Sequence, residues 1–320
     1  MPTALVTGAA GFVGQWLCRE LLERGWLTHG TALESPAVTT ALTPEEVASV
    51  RWHPADVRHT DDLTRVIDAS RPDAVFHLAG LAFIPAASAD PAGVLEVNVV
   101  AAARLLGVIR ERRAAGALDP TVLIVGSAEQ YGRHDTSEMP LLECAEQRPH
   151  NRYAASKAAQ EIVALEAFRA DGVRVLCTRS FGHSGAGQAE EFLLPALVRR
   201  ALGARTSGAA ALPIGNTAPV RDYLHVRDVA RAYVDLAVHG NPGDAYNVAS
   251  GVGTSVRSLA ERVLALSGVR AELREDPALI RAADVPVLVG DSTKLRAATG
   301  WAPCESVDTI IEDVIRAATR

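Results

Sequence analysis

Short apolar runs of strand type alternate along this chain with segments whose apolar positions recur every three or four residues. These are the spacings of a sheet strand and of one helix face. Thr3–Val6 reads as a first strand. Behind it Val13, Trp16, Leu17, Leu21 and Leu22 share a helix face that stops at Gly25. Further strands are expected at Leu27–Leu33, Val50–His53, Ala74–Leu78, Thr121–Val125 and Val173–Thr178. Helices are expected at Asp61–Ala69, at Val94–Arg113 with Val97, Val100, Ala101, Leu105 and Ile109 inward, and after Tyr153, where Ala158, Ile162, Leu165 and Phe168 follow the helical period. Thr43-Pro-Glu-Glu opens a short helix inside the polar insertion Ser35–Ser49. Leu81–Pro91 reads as a loop of small and apolar residues on the wall of a site. Strict strand–helix alternation makes right-handed βαβ units, hence an α/β fold with a doubly wound parallel sheet over residues 1–180.

The remainder is mixed. A helix is expected at Glu191–Leu202, then a segment Ala218–Val226, a helix Val229–His239 and a strand Ala245–Val248. A helix Ser255–Ser267, a proline-broken stretch and a last helix near Ser306–Ala318 complete it. No linker separates the halves, so residues 181–320 are expected to form a smaller α/β lobe interleaved with the first domain.

Composition narrows the class. Of 320 residues 48% are hydrophobic and 22% charged, as in ordinary globular chains, and the net charge of −6 carries no footprint for nucleic acid. No uninterrupted apolar run approaches the roughly 18 residues a membrane helix needs, and the N-terminus reads as a strand and glycine loop, not a signal peptide. Cys18, Cys144, Cys177 and Cys304 are scattered without metal spacing, which fits reduced thiols in a cytoplasmic protein and no metal site.

The first strand runs into Thr7-Gly8-Ala9-Ala10-Gly11-Phe12-Val13-Gly14 and then a helix. Glycines admit a pyrophosphate to the backbone, and a helix N-terminus offers free N–H groups and positive dipole, so a Rossmann dinucleotide site is expected here. The end of the second strand selects NAD or NADP. Glu34 lies slightly late for a ribose 2′-hydroxyl and no arginine precedes Arg51, which leaves the choice open with a lean to NAD. Asp56 suits either an adenine amino group or a turn. Small residues at Ala79-Gly80 would admit a nicotinamide ribose. The candidate cofactor contacts are Gly8, Gly11, Phe12, Val13, Gly14, Asp56, Val57, Leu78, Ala79, Tyr153 and Lys157. Asn98 interrupts an apolar helix pattern, as a buried, hydrogen-bonded asparagine without a chemical role does.

Tyr153 and Lys157 stand four apart, on one face of a helix. The chain holds 32 Lys+Arg but only two lysines, Lys157 and Lys294. A compact ammonium with a movable pKa is what arginine cannot supply. Such a charge favours the phenolate and lowers a tyrosine pKa, which makes Tyr153 a candidate for proton exchange with a carbonyl or alcohol oxygen. Ser127 closes the fifth strand, where open parallel sheets bind ligands, and its hydroxyl is placed to hold the same oxygen. Glu129 is either a general base or a structural carboxylate.

Thr7-Gly8-x-x-Gly11-x-x-Gly14, Ser127 and Tyr153-x-x-x-Lys157 together resemble the extended short-chain dehydrogenase/reductase family. Arg179–Gln188, Val220–Val229, Tyr246–Ser250 and Gly290–Lys294 are similar to its branch acting on nucleotide-diphosphate sugars. Val125–Gly132 and Arg281–Asp291 look most like its GDP-mannose 4,6-dehydratase and GDP-4-keto-6-deoxy-D-mannose reductase members. The resemblance implies that Tyr153 exchanges the proton, that Lys157 lowers its pKa and holds the nicotinamide ribose, and that Ser127 orients the sugar carbonyl. It implies substrate contacts at His183, Gln188, Arg221 and Arg281, the two arginines on the diphosphate. It also implies a homodimer, for which Ala155, Ala159 and Val163 offer a strip that core packing explains equally well. Gly182 stands where the family has asparagine and Ala186 where it has proline, which leaves the base and the sugar open.

Four functions follow. A reductase of a 4-keto-6-deoxy sugar needs only the Ser–Tyr–Lys set. A 4,6-dehydratase needs a base, for which Glu129 is available, and an acid, which Ala128 is not. A 4-epimerase is the third. A nucleotide-sensing protein without turnover has no need of the set.

Overall fold

A computed structural model describes residues 1–34, 40–280 and 285–319. In its first half β1 (Thr3–Thr7), α1 (Phe12–Glu23), β2 (Leu27–Ala32), α2 (Pro44–Ser49), β3 (Arg51–Pro54), α3 (Thr60–Ser70) and β4 (Ala74–His77) follow in turn. After α4 (Ile84–Ala89), α5 (Pro91–Leu95) and α6 (Ala101–Ala114) come β5 (Thr121–Ser127), α7 (Arg152–Asp171) and β6 (Val175–Ser180). The second half runs β7 (Gly182–Ser184), α8 (Leu193–Ser207), β8 (Ala211–Ile214), β9 (Val220–His225), α9 (Val226–His239) and β10 (Ala245–Val248). It ends with β11 (Gly253–Ser255), α10 (Val256–Leu266), β12 (Glu272–Glu275), β13 (Val287–Leu288), α11 (Thr293–Thr299) and α12 (Val307–Ala318).

Seven strands make one parallel sheet in the order β10-β6-β5-β4-β1-β2-β3. Alternate residues of the strands feed two cores. Ala4 and Val6 pack with Trp16, Leu17, Val229 and Tyr233 beneath α1 and α9, while Leu5 packs on the other face with Leu63, Leu105 and Ala164 of α3, α6 and α7. The strand order reverses between β1 and β4, and such a switch point opens a crevice at the carboxyl ends of the strands. β10 joins this sheet beside β6, so the halves interleave. The smaller lobe packs α8, α10 and α12 around Leu197, Leu259 and Ile310, with β7, β11 and β13 gathered on β9 and a separate parallel pair β8–β12.

Several elements differ from the sequence reading. Ile84–Ala89 is a short helix, not loop. The helix over 91–114 contains a π-helical turn at Glu96–Val100. The extra residue in that turn rotates the buried face, so Val94 and Asn98 lie inside while Val97 and Val100 are half-buried. The helix Pro91–Ala114 is long enough, at 24 residues, and an 18-residue window in it apolar enough, at a mean hydropathy of 1.8, to cross a membrane, where the sequence reading expected no such run. Its Ala101, Leu105 and Ile109 are wholly buried against the sheet, which is where its apolar surface goes. Ile162 is 63% exposed, whereas Lys157, Gln160 and Glu161 of the same helix are buried. The inner face of α7 is polar: Lys157 bonds Val125 O and Gln160, and Glu161 takes bonds from Gln130 and Arg179.

His77 is wholly buried and bonds Thr7 Oγ1 at 2.8 Å, and burial pushes its pKa down to about 3. Buried His29 bonds His53 at 2.8 Å, and burial lowers it to about 4. Both are neutral in the folded protein, while in the unfolded chain they bind protons below about pH 6.5. The unfolded state then holds more protons, so stability falls as pH drops through 6.5 toward those lower values, by about 1.4 kcal/mol per pH unit for each histidine. The thermal midpoint should decline steadily from pH 6.5 to pH 5; a flat midpoint would contradict the neutral buried state.

Candidate active site

Three chain segments meet at the switch point. Gly8 follows β1 with φ of 71°, a region that L side chains rarely adopt, and a Cβ there would lie 2.8 Å from the Ala79 nitrogen. A Cβ on Gly14 would overlap the Gly8 carbonyl, so the first turn of α1 seats directly on the loop. Gly11 caps α1 without a side-chain bond, and the first turn holds no acidic residue. The helix therefore presents N–H groups and positive dipole that the protein does not neutralise, which suits a diphosphate. Thr7 Oγ1 accepts from the Ala79 N–H at 3.3 Å and fixes the loop after β4 beside the glycines.

The catalytic candidates lie at the other lip. Asn151 caps α7 by accepting from the Ala154 N–H at 2.8 Å, and Tyr153 stands half-buried in the first turn. Ser127 ends β5 opposite Ser180 of β6. Its Oγ accepts from the Glu129 N–H at 3.2 Å, which leaves its own O–H to donate. Lys157 is buried and donates to Val125 O at 2.8 Å and Gln160 Oε1 at 2.9 Å. An ammonium has three donors, so one N–H remains for a ligand. A Cβ on Gly80 would lie 3.5 Å from that ammonium, which brings the loop after β4 to Lys157. Burial lowers the Lys157 pKa to about 8.

The expected lowering of the Tyr153 pKa is not what this arrangement produces. Desolvation pushes it up to about 12; Ser127 draws it down and the Glu129 carboxylate adds to the rise. Lys157 is turned toward Val125 and Gln160, so its charge does not set the phenol. Tyr153 holds its proton firmly here. Glu129 is half-buried, and its Oε2 accepts from Asn151 Nδ2 at 3.4 Å, tying it to the cap of the same helix.

Other candidates are placed as follows. Both oxygens of Asp56 are engaged by Arg58, chiefly at 2.6 Å, and this guanidinium holds the carboxyl down at about 2. Asp56 thus stays ionised at the turn after β3. Val57 points into the core, so only its backbone can face a ligand. Leu78, Ala79 and Val13 are half-buried beside the glycine loop. His183 stacks on Phe12 with centroids 6.3 Å apart, and its Nδ1 donates to Phe181 O at 2.9 Å. Gln188 is turned into its own loop, accepting from Ser184 Oγ at 2.6 Å and donating to His183 O at 3.2 Å. Arg221 lies on β9 and donates to Val220 O at 2.9 Å. Its neighbour Asp222 is buried on the opposite face and holds the Ser250 and Gly251 amides at 2.8 and 2.9 Å. Arg281 lies outside the described residues. Asn98 bonds the Leu81 N–H at 2.8 Å and Ser156 Oγ at 2.9 Å, the structural part expected of it.

Sequence reasoning missed several neighbours. Tyr233 of α9 is wholly buried and bonds Ser180 Oγ at 2.7 Å, close enough to Tyr153 that the Tyr153 phenol adds to the rise that burial gives the Tyr233 pKa. No local pattern announces it. Gln130 was legible, because Ser127-x-x-Gln130 is a capping-box spacing, and the box forms.

The family model described as GDP-mannose 4,6 dehydratase matches residues 5–314. The chain is 34% identical over 300 residues to GDP-6-deoxy-D-mannose reductase of Pseudomonas aeruginosa, spanning 93% of this chain and 91% of that relative. The solved structure of RMD from Pseudomonas aeruginosa complexed with NADPH superposes with a TM-score of 0.83 at 30% identity, over 99% of this chain and 98% of the other. The UDP-glucose 4-epimerase of Thermus thermophilus, in complex with NAD, superposes with a TM-score of 0.85 at 26% identity, over 98% of both chains.

Proposed function

This chain belongs to the GDP-mannose 4,6 dehydratase family, and we propose that it reduces the 4-keto group of a nucleotide-diphosphate-linked 4-keto-6-deoxyhexose. Position 128, between Ser127 and Glu129, offers no acid, and that observation carries the reading, with Tyr153 as the one proton donor a reductase needs. Tyr153 sits at about 12 with Glu129 as its charged neighbour, and position 128 holds an alanine methyl buried in the core. A reductase needs a group that gives up a proton only as negative charge grows on the carbonyl oxygen. A dehydratase needs an acid and a base besides.

The glycine turn, the uncapped start of α1 and the remaining N–H of Lys157 fit a nicotinamide dinucleotide. That group, when bound reduced, supplies the hydride; NAD or NADP would serve. Gly8, Gly11 and Gly14 and the Phe12 and Val13 amides would hold its diphosphate, and Lys157 a ribose hydroxyl. The Ser127 O–H donates to the keto oxygen and fixes its position. Tyr153 passes its proton to that oxygen as the carbonyl carbon becomes saturated, and the phenolate left behind is reprotonated from solvent. Arg221, with Arg281, would take the substrate diphosphate, for which a planar guanidinium is suited. Cytoplasmic residence and a homodimer go with this reading, the second open to light scattering.

The test offers the purified protein GDP-mannose with oxidised nicotinamide and the 4-keto-6-deoxy derivative with reduced nicotinamide, in the NAD and the NADP form each. Consumption of reduced cofactor only with the keto-sugar is the expected result. Keto-sugar formed from GDP-mannose without net cofactor change would make it a dehydratase with Glu129 as base. Silence with both would exclude the GDP sugars and direct attention to Gly182.

A further inference from the structure

Beneath Ser127 lies a buried polar network that none of the roles above uses. Gln130 Oε1 accepts the Ser127 N–H at 2.8 Å, and Gln130 Nε2 donates to Glu161 Oε2 at 3.0 Å. Glu161 takes a two-pronged bond from Arg179, at 2.9 Å to Oε2 and 2.6 Å to Oε1, and a third from Gln147 at 2.7 Å. Arg179 also donates to the Tyr131 hydroxyl and to Glu143 O, each at 2.9 Å, and Tyr131 donates to Asn247 Oδ1 at 2.7 Å. Gln130, Tyr131 and Asn247 are wholly buried, and Glu161 and Arg179 nearly so.

The arrangement has a direction. Tyr153, Lys157 and Glu161 stand at successive four-residue steps on one face of α7. Ser127 belongs to β5 and Arg179 to β6. The network therefore joins the turn carrying Ser127 to the helix carrying Tyr153, across the strand between the two halves. An ordinary capping box needs only the Gln130 oxygen. Here the amide nitrogen of the same side chain is anchored on a buried carboxylate, so Gln130 cannot rotate without breaking a bond at each end. Gly126 makes the room, since a Cβ there would lie 2.5 Å from Gln130 Oε1.

We propose that Gln130 is a positioning residue that sets the Ser127 hydroxyl against Tyr153, by locking the end of β5 to Glu161 of the catalytic helix. It touches neither substrate nor cofactor and acts through Ser127. The influence of Ser127 on the Tyr153 proton is in keeping with that. The proposal rests on the keto-sugar reading, and its test separates the two.

Gln130→Met keeps length and volume and removes both polar ends. In the holoenzyme it should lower kcat about 10- to 100-fold with KM for the keto-sugar within about twofold, as a displacement of the reacting groups does. Made in a Ser127→Ala background, it should lower kcat no further than about twofold, because its effect passes through that hydroxyl. A purely structural role would lower both backgrounds by the same factor, and that result, or wild-type kcat in the single variant, overturns the proposal. If Gln130→Met does not fold, Gln130→Glu takes its place: the new carboxylate is repelled by Glu161, and the same two ratios are read. Should the wild type reduce no keto-sugar, the reductase reading falls by itself. Amide hydrogen exchange then decides this one without substrate. The Ser127 amide should exchange at least about tenfold faster in the variant while those of α7 keep their protection, and an unchanged Ser127 rate overturns it.

Discussion

Tyr153→Phe protein will reduce the keto-sugar at least about 100-fold more slowly than the wild type and bind reduced nicotinamide within about twofold of it. The substitution deletes one hydroxyl and leaves the ring, the Asn151 cap and the Lys157 bonds to Val125 and Gln160 in place. Of the two hydroxyls at this lip, Ser127 is by far the weaker acid, which leaves the Tyr153 phenol to give up the proton. Steady-state turnover and a cofactor titration on the same preparation read the two effects separately. Wild-type-like turnover would remove Tyr153 from the chemistry. Loss of cofactor binding instead would mean that the phenol holds the dinucleotide.

The second large effect is on stability. Glu161→Leu should cost about 3–5 kcal/mol, because it leaves the Arg179 guanidinium buried without its carboxylate. Both side chains are at most 7% exposed. Burial alone opposes the charge on Arg179, and Glu161 with Tyr131 restores it. The double change Glu161→Leu with Arg179→Leu should be less destabilising than Glu161→Leu alone, since no unpaired charge then remains and two apolar side chains fill the space. Thermal unfolding of the two variants reads this directly. A single variant that melts with the wild type would show that water or another anion replaces the carboxylate.

The glycine turn, the two sheet faces and the order of strands and helices were readable because they obey local rules. Ala4, Leu5 and Val6 alternate between cores as a two-residue period requires, and Gly8 and Gly14 mark backbone that no side chain can share. Tyr153 and Lys157 were readable for the same reason, since helix geometry places i and i+4 together whatever surrounds them. What failed locally was α7 beyond Lys157. Its apolar pattern points Ile162 inward, yet the buried face carries Gln160 and Glu161, because Arg179 of β6 and Gln130 of the turn after β5 arrive to satisfy Glu161 while Lys157 bonds the Gln160 oxygen. The helix at 91–114 failed likewise, where a π-helical turn moves the inward face by one residue.

By itself, then, the sequence determined the strands, the glycine turn and the pairing of Tyr153 with Lys157 on one helix face, all of which rest on spacings within one element. Only the tertiary structure decided the state of that pair. Desolvation at the Tyr153 phenol outweighs a lysine whose ammonium is drawn to Val125 and Gln160, so the phenol keeps its proton. It also decided what holds Ser127, because β5, β6 and α7 contribute one partner each. A pKa and a buried ion pair both depend on which groups lie within a few ångströms in space, and sequence spacing fixes that only inside a single helix or strand.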